Sequence, residues 1–98
     1  MFIRIVKLTF QEDKIVAFLE NFNEIKHQIR SFEGNEFLEL YQDKQDARVF
    51  FTYSYWKDEL ALENYRKSAF FSEVWSYTKT LFAEKPEAWS VNKLDSLL

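Results

Sequence analysis

The chain has 98 residues, a formal charge of −3 and no cysteine, which excludes a second core, a disulfide framework, a thiol nucleophile and a thiolate metal site. Its Lys and Arg residues are scattered among acids, so neither nucleic acid nor a membrane is an expected partner, and with no signal peptide or spanning run in view a cytoplasmic location is expected. Hydrophobic residues make up 47% and aromatics 19%, more large apolar surface than one small layer hides, so part of it should meet a partner subunit or line a ligand cavity.

Phe2 to Phe10 reads as a strand, with Phe2, Arg4, Val6, Leu8 and Phe10 on one face and Ile3, Ile5, Lys7 and Thr9 on the other. Thr9 and Glu12 have the spacing of a capping box. The helix that follows carries an apolar stripe at Ile15, Phe18, Phe22, Ile25, Ile29 and Phe32, and Gly34 supplies a left-handed residue to end it. Glu36 to Gln42 is a second strand and Ala47 to Tyr55 a third, joined by the polar turn Asp43 to Asp46. Asp58 caps a helix expected to bury Leu60, Ala61 and Tyr65, with Leu62 as a further candidate. Ser68 caps another that carries Phe71, Val74, Trp75, Thr78, Leu81 and Phe82 and is stopped by Pro86. Ala88 to Lys93 is a short last strand, and 95–98 a tail.

Strand, helix, strand, strand, helix pair, strand is an α+β order. It predicts a single ferredoxin-like domain over 1–98: a split βαβ with a four-stranded antiparallel sheet and helices on one face. Helices cover one side only. The other face also carries bulky apolar groups, so the sheet needs a second cover, for which the same face of a second copy serves: a homodimer through the sheet face is expected.

The Gly34-centred turn, the strand ending Tyr55-Trp56, the run of Lys57, Ala61, Tyr65, Ser68 and Phe71 at fixed spacing, and the strand after Pro86 together resemble the antibiotic biosynthesis monooxygenase superfamily over almost the whole chain. The resemblance implies a dimeric α/β barrel with a cavity between sheet and helices, and oxygenation of a small aromatic or quinol-type compound with no cofactor. An electron-rich phenolate can itself reduce dioxygen, leaving the protein to shape an aromatic cavity and stabilise the deprotonated substrate. Candidate substrate-binding residues are Arg4, Val6, Phe22, Trp56, Tyr65, Phe71 and Trp75. The haem-degrading branch places an axial His where this chain has Trp75, so haem degradation is not expected. Many other members carry a His at the position of Tyr65. Tyr65 still donates a hydrogen bond, but its reference pKa of about 10 does not suit it as a base near neutral pH.

Each candidate also has a plainer role. Trp56 and Trp75 read by position as core anchors ahead of platforms for a substrate, and Tyr65 divides evenly between the two. Arg4 reads first as snorkelling to water or pairing with an acid, and only then as reaching an anionic substrate. The lone His27 falls opposite the apolar stripe and reads as a surface residue, while Glu20, Asn21, Asn23 and Glu24 read as a solvated helix face. Tyr41, Tyr53 and Tyr55 read as sheet or dimer-interface packing. A non-catalytic dimer that binds a small hydrophobic compound, and a cavity filled by the chain's own side chains, are the alternatives to an enzyme.

Overall fold

Strand β1 (Phe2–Thr9) pairs on one side with β3 (Val49–Trp56) and on the other with β4 (Glu87–Val91), while β2 (Asn35–Gln42) pairs with the far edge of β3. The computed structural model describes residues 1–98 and gives a four-stranded antiparallel sheet in the order β2-β3-β1-β4. A 3-10 turn (Glu12–Lys14) and helix α1 (Ile15–Arg30) link β1 to β2; helices α2 (Glu59–Arg66) and α3 (Ala69–Lys79) link β3 to β4. This is the split βαβ arrangement that the order of sequence patterns requires.

Register decides what each face carries, because residues directly opposite in an antiparallel pair point the same way. Towards the helices, Phe2 lies opposite Trp56, Arg4 between Ser54 and Ser90, Val6 between Thr52 and Ala88, and Leu8 opposite Phe50. Ile3, Ile5 and Lys7 lie on the outer face with Tyr55, Tyr53 and Phe51 of β3 and Val91, Trp89 and Glu87 of β4. A bulge at Glu36 is needed to keep β2 in step. Asn35 pairs with Trp56 yet Phe37 pairs with Tyr55, so one extra residue turns Asn35 inward and leaves Phe37 outward.

The core is divided between the two ends of the sheet. Phe2, Ile29, Trp56, Leu62 and Tyr65 form one buried cluster, and Leu8, Phe10, Phe18, Phe50 and Leu81 form the other, with Phe22 packed against both. Phe10 is the hub of the second, its ring stacked on Phe18 at 4.1 Å and on Phe82 at 5.3 Å. On the outer face Phe37 stacks on Tyr55 at 4.4 Å and Tyr41 meets Tyr53 edge-on at 5.3 Å. No helix covers those rings, and Tyr41 and Trp89 are each 45% exposed.

The expected caps of the second and third helices are present. The Asp58 carboxylate accepts from the Ala61 amide at 2.8 Å, and the Ser68 hydroxyl oxygen accepts from the Phe71 amide at 3.1 Å. Several boundaries differ from the expectation, each for a local reason. The Thr9–Glu12 capping box does not form: Thr9 is the buried end of β1 and Gln11 stands at the N-cap without a side-chain cap, so the α-helix begins at Ile15. Phe10 follows the strand and is held by a bridge to Phe82. The third strand begins at Val49 because Asp46 accepts from the Arg48 amide at 3.0 Å and folds 46–48 into a turn. Helix α3 stops at Lys79, not at Pro86, through bonds from Thr80 N to Tyr77 O and from Leu81 N to Thr78 O, both 3.0 Å. These i→i+3 contacts release Leu81 and Phe82 from the helix into the core. Leu60 is 64% exposed, since α2 turns Ala61, Leu62 and Tyr65 inward. The last strand is Glu87–Val91 instead of Ala88–Lys93.

Gly34 does two things that no other residue does as well. Its φ is +88°, and a Cβ there would overlap the Ala61 side chain. Its carbonyl accepts from Lys57 N at 2.8 Å, so the turn before β2 is pressed against the start of α2. Gly34→Ala should lower the free energy of unfolding by at least about 2 kcal/mol, combining left-handed strain with overpacking. Equilibrium urea unfolding checks this; a loss below about 0.5 kcal/mol would show that the turn relaxes freely.

Candidate functional site

On β3 and β4 the inner face of the sheet is small in its middle. Along β3 the inward residues run Phe50, Thr52, Ser54, Trp56, and across from them β4 offers Ala88 and Ser90. Helices resting on the two bulky ends bridge this middle without filling it, and a cavity of about 290 Å³ lies between the sheet and α1, α2 and α3. That volume is at the lower end of the range of small-molecule sites.

All seven candidate residues border it. Arg4, Val6 and Trp56 come from the sheet, and Phe22, Tyr65, Phe71 and Trp75 from the helices. The aromatic members form a continuous wall: the Tyr65 ring lies 5.0 Å from Trp56 and 5.1 Å from Phe71, which stacks on Trp75 at 5.7 Å with planes 13° apart. Trp56 is 1% exposed and its indole N–H donates to the Ser54 hydroxyl at 2.9 Å. It is an anchor of the end cluster that shows only part of its surface to the cavity. Trp75 is half-buried and borders the space directly.

The polar groups are few and uneven. Burial pushes the Tyr65 phenol up to about 12. Its hydroxyl makes no hydrogen bond within the chain, which leaves a free donor, protonated at neutral pH, on a residue that borders the cavity. Arg4 donates to the Ser90 hydroxyl at 3.0 Å. Its pKa is lowered, first by burial and then by the nearby charge of Arg66, which also borders the cavity. Arg66 follows Leu62 by one helical turn and so shares its inward-leaning side of α2. No three His, Cys, Asp or Glu residues gather anywhere to hold a metal, and His27 is exposed on α1.

The cavity also takes in residues that sequence reasoning passed over. Asn21, grouped with a solvated face, borders it; it follows Phe18 by three and precedes Ile25 by four, which puts it on the apolar stripe itself. Arg66 had the same kind of signal in its spacing from Leu62. Thr52 and Ser54 were legible only as a size pattern between Phe50 and Trp56. Glu20, Asn23 and Glu24 are exposed, as a solvated face requires.

Comparison with known proteins adds a family and a set of similar folds. The sequence profile of the family described as antibiotic biosynthesis monooxygenase matches residues 1–75. No curated protein sequence matches the chain. Among solved structures, a candidate antibiotic biosynthesis monooxygenase from Nitrosomonas europaea superposes with a TM-score of 0.88 at 21% identity, covering 97% of this chain and 100% of that one. A conserved protein from Methanosarcina mazei gives 0.87 at 21% identity over 95% of this chain and 93% of its own. A candidate antibiotic biosynthesis monooxygenase from Deinococcus radiodurans gives 0.85 at 14% identity over 100% and 99%.

The raised phenol has a consequence for stability. The unfolded chain releases this proton near pH 10 and the folded chain near 12, so the neutral phenol favours the folded state fully below pH 10 and that contribution is lost as pH rises to 12. The rise from about 10 to about 12 corresponds to about 3 kcal/mol. Thermal melts of the wild type should therefore fall more steeply between pH 10 and 12 than those of Tyr65→Phe; parallel slopes would contradict the buried phenol.

Proposed function

The chain belongs to the antibiotic biosynthesis monooxygenase family, and from that premise we propose that it is a cytoplasmic, homodimeric, cofactor-independent monooxygenase acting on a small aromatic or quinol-type compound, its 1–98 forming one domain. The observation that carries this reading is the cavity itself, enclosed on one side by the Tyr65, Phe71 and Trp75 rings and furnished with only a few polar groups. A planar ring fits such a wall by stacking.

The reaction balances without an external reductant. A quinol and dioxygen give a hydroxyquinone and water: one oxygen atom enters a ring C–H bond, the other leaves as water, and the four electrons come from the substrate. The substrate reacts as its phenolate, so the protein's task is to hold that anion and the reduced oxygen species beside it. Tyr65 suits the second part of this task, since it keeps its proton and donates from within the aromatic wall. Trp75 and Phe71 orient the ring.

The exposed outer face supports the dimer. Ile5, Phe37, Phe51, Tyr53, Tyr55 and Trp89 share it, and an apolar face of this extent calls for a cover. Its pairing with a second copy satisfies the sheet by two-fold symmetry.

A second reading is a binding protein without turnover, and a specific feature favours it. The cavity wall holds no imidazole, and Tyr65, at about 12, is a poor acceptor for the substrate's proton. Such a protein would be stabilised by ligand and would consume no oxygen.

Two measurements separate these statements. Oxygen uptake with a panel of reduced quinols and anthrones should be catalysed by the wild type, fall roughly tenfold to a hundredfold in Tyr65→Phe, and fall at least as far in Trp75→Ala. A ligand-induced rise in melting temperature with no oxygen uptake would leave the binding reading in its place. Light scattering at micromolar concentration should give twice the 11.9 kDa of one chain; the mass of a single chain would contradict the dimer.

A further inference from the structure

The charge inside the cavity runs against the charge of the chain. Acids outnumber bases by 16 to 13 overall, yet the charged residues that border the cavity are Arg4, Arg66 and a single acid, Glu87. Glu87 does not neutralise them. It lies opposite Lys7 on the outer face of the sheet, and its carboxylate is 3.9 Å from the Lys7 ammonium. Glu63, on the same helix as Arg66, pairs at 2.9 Å with Lys67, and the Arg66 charge acts on it only as a lesser influence. Neither Arg4 nor Arg66 makes an ion pair within the chain, and the partner Arg4 does have is the neutral Ser90 hydroxyl at 3.0 Å.

Burial and, after it, the nearby charge of Arg66 lower the pKa of Arg4, so holding the two cations at the edge of an apolar space costs free energy when nothing is bound. An anion between them would remove that cost. The position is equally specific. Arg4 sits between Ser54 and Ser90 on the inner face, Arg66 is exposed at the end of α2, and the apolar residues Leu8, Phe18 and Phe22 lie towards the other end of the same space. The cavity therefore has a cationic, solvent-facing end and an aromatic interior.

We propose that the compound this cavity takes is an aromatic molecule bearing an oxyanion substituent, a carboxylate or a phosphate, which Arg4 and Arg66 hold at the solvent-facing end while the ring lies against Phe22, Phe71 and Trp75. Guanidinium groups suit this task because their paired N–H donors match the spacing of two oxygens of either anion. The proposal deepens the reading of the cavity as the ligand site and rests on it.

The test compares matched probes by calorimetry at low and physiological salt: 2-naphthoate, 2-naphthyl phosphate and the neutral 2-naphthylmethanol. One or both anions should bind the wild type at least roughly tenfold more tightly than the alcohol, the fold-change of about one charge-assisted hydrogen bond. That preference should weaken with salt. The ratio of the naphthoate to the phosphate affinity tells which anion is favoured. Arg66→Gln, an exposed change at a helix end, and Arg4→Gln should each remove most of the preference while leaving the alcohol's affinity within about twofold. Trp75→Ala should weaken all three probes alike. Equal affinities for anions and alcohol, or a preference unchanged in both Arg variants, would overturn the anion site and leave the cavity reading standing. Failure of all three probes to bind would overturn both.

Discussion

Everything in this molecule depends on how the helix layer rests on its sheet. Large rings at both ends of the inner face, Phe2 and Trp56 at one and Phe10 and Phe50 at the other, carry the helices through two separate buried clusters. Between them β3 and β4 present Thr52, Ser54, Ala88 and Ser90, short side chains beside Arg4 and Val6 of β1 and Leu38 and Leu40 of β2. Close packing is thus satisfied at the ends and withheld in the middle. The cavity is a consequence of residue size along two strands, and the residues that bound it are held by the same clusters that stabilise the fold.

That arrangement links stability to the site. Tyr65 belongs at once to the buried cluster with Phe2 and Trp56 and to the cavity wall, so its phenol is desolvated by the packing that positions it. Gly34 contributes from further away. Only a residue lacking a Cβ lets the turn before β2 approach Ala61, and that approach fixes where α2 begins and hence where Tyr65 and Arg66 project. The outer face carries rings that no helix of this chain covers, Tyr41 and Trp89 among them.

Much of this was legible in the chain. Alternation in β1 and β3, the stripe of α1, the Asp58 and Ser68 caps and the left-handed Gly34 point to the fold, and the Gly34 turn, the run from Tyr55 to Phe71 and the strand after Pro86 carry the resemblance to the family. The errors have physical causes. Thr9 has the spacing of a capping residue, but the strand claims it first, and long-range pairing overrode a local motif. Leu81 and Phe82 continue the helical period of α3 yet leave the helix, because a tightened last turn lets Phe82 bridge to Phe10. Leu60 satisfies a helical pattern that the tilt of α2 does not use. The seven site candidates were found by resemblance together with aromatic content. Asn21 and Arg66 were missed because polar residues on an apolar stripe were read by their chemistry and not by their position. The shape of the space, set by the run Phe50, Thr52, Ser54, Trp56, needed the register with β1 and β4 before its small middle could be seen.

The central claim is that the space between the helices and the sheet is where a small aromatic molecule binds. Intermolecular nuclear Overhauser contacts between a neutral naphthalene probe and a methyl-labelled sample test it without reference to turnover or charge. The account predicts contacts from the probe ring to the methyl groups of Val6, Leu38 and Val74, which border the cavity from β1, β2 and α3. Contacts confined to Ile5, Val49 and Val91, on the opposite face of the sheet, would contradict it.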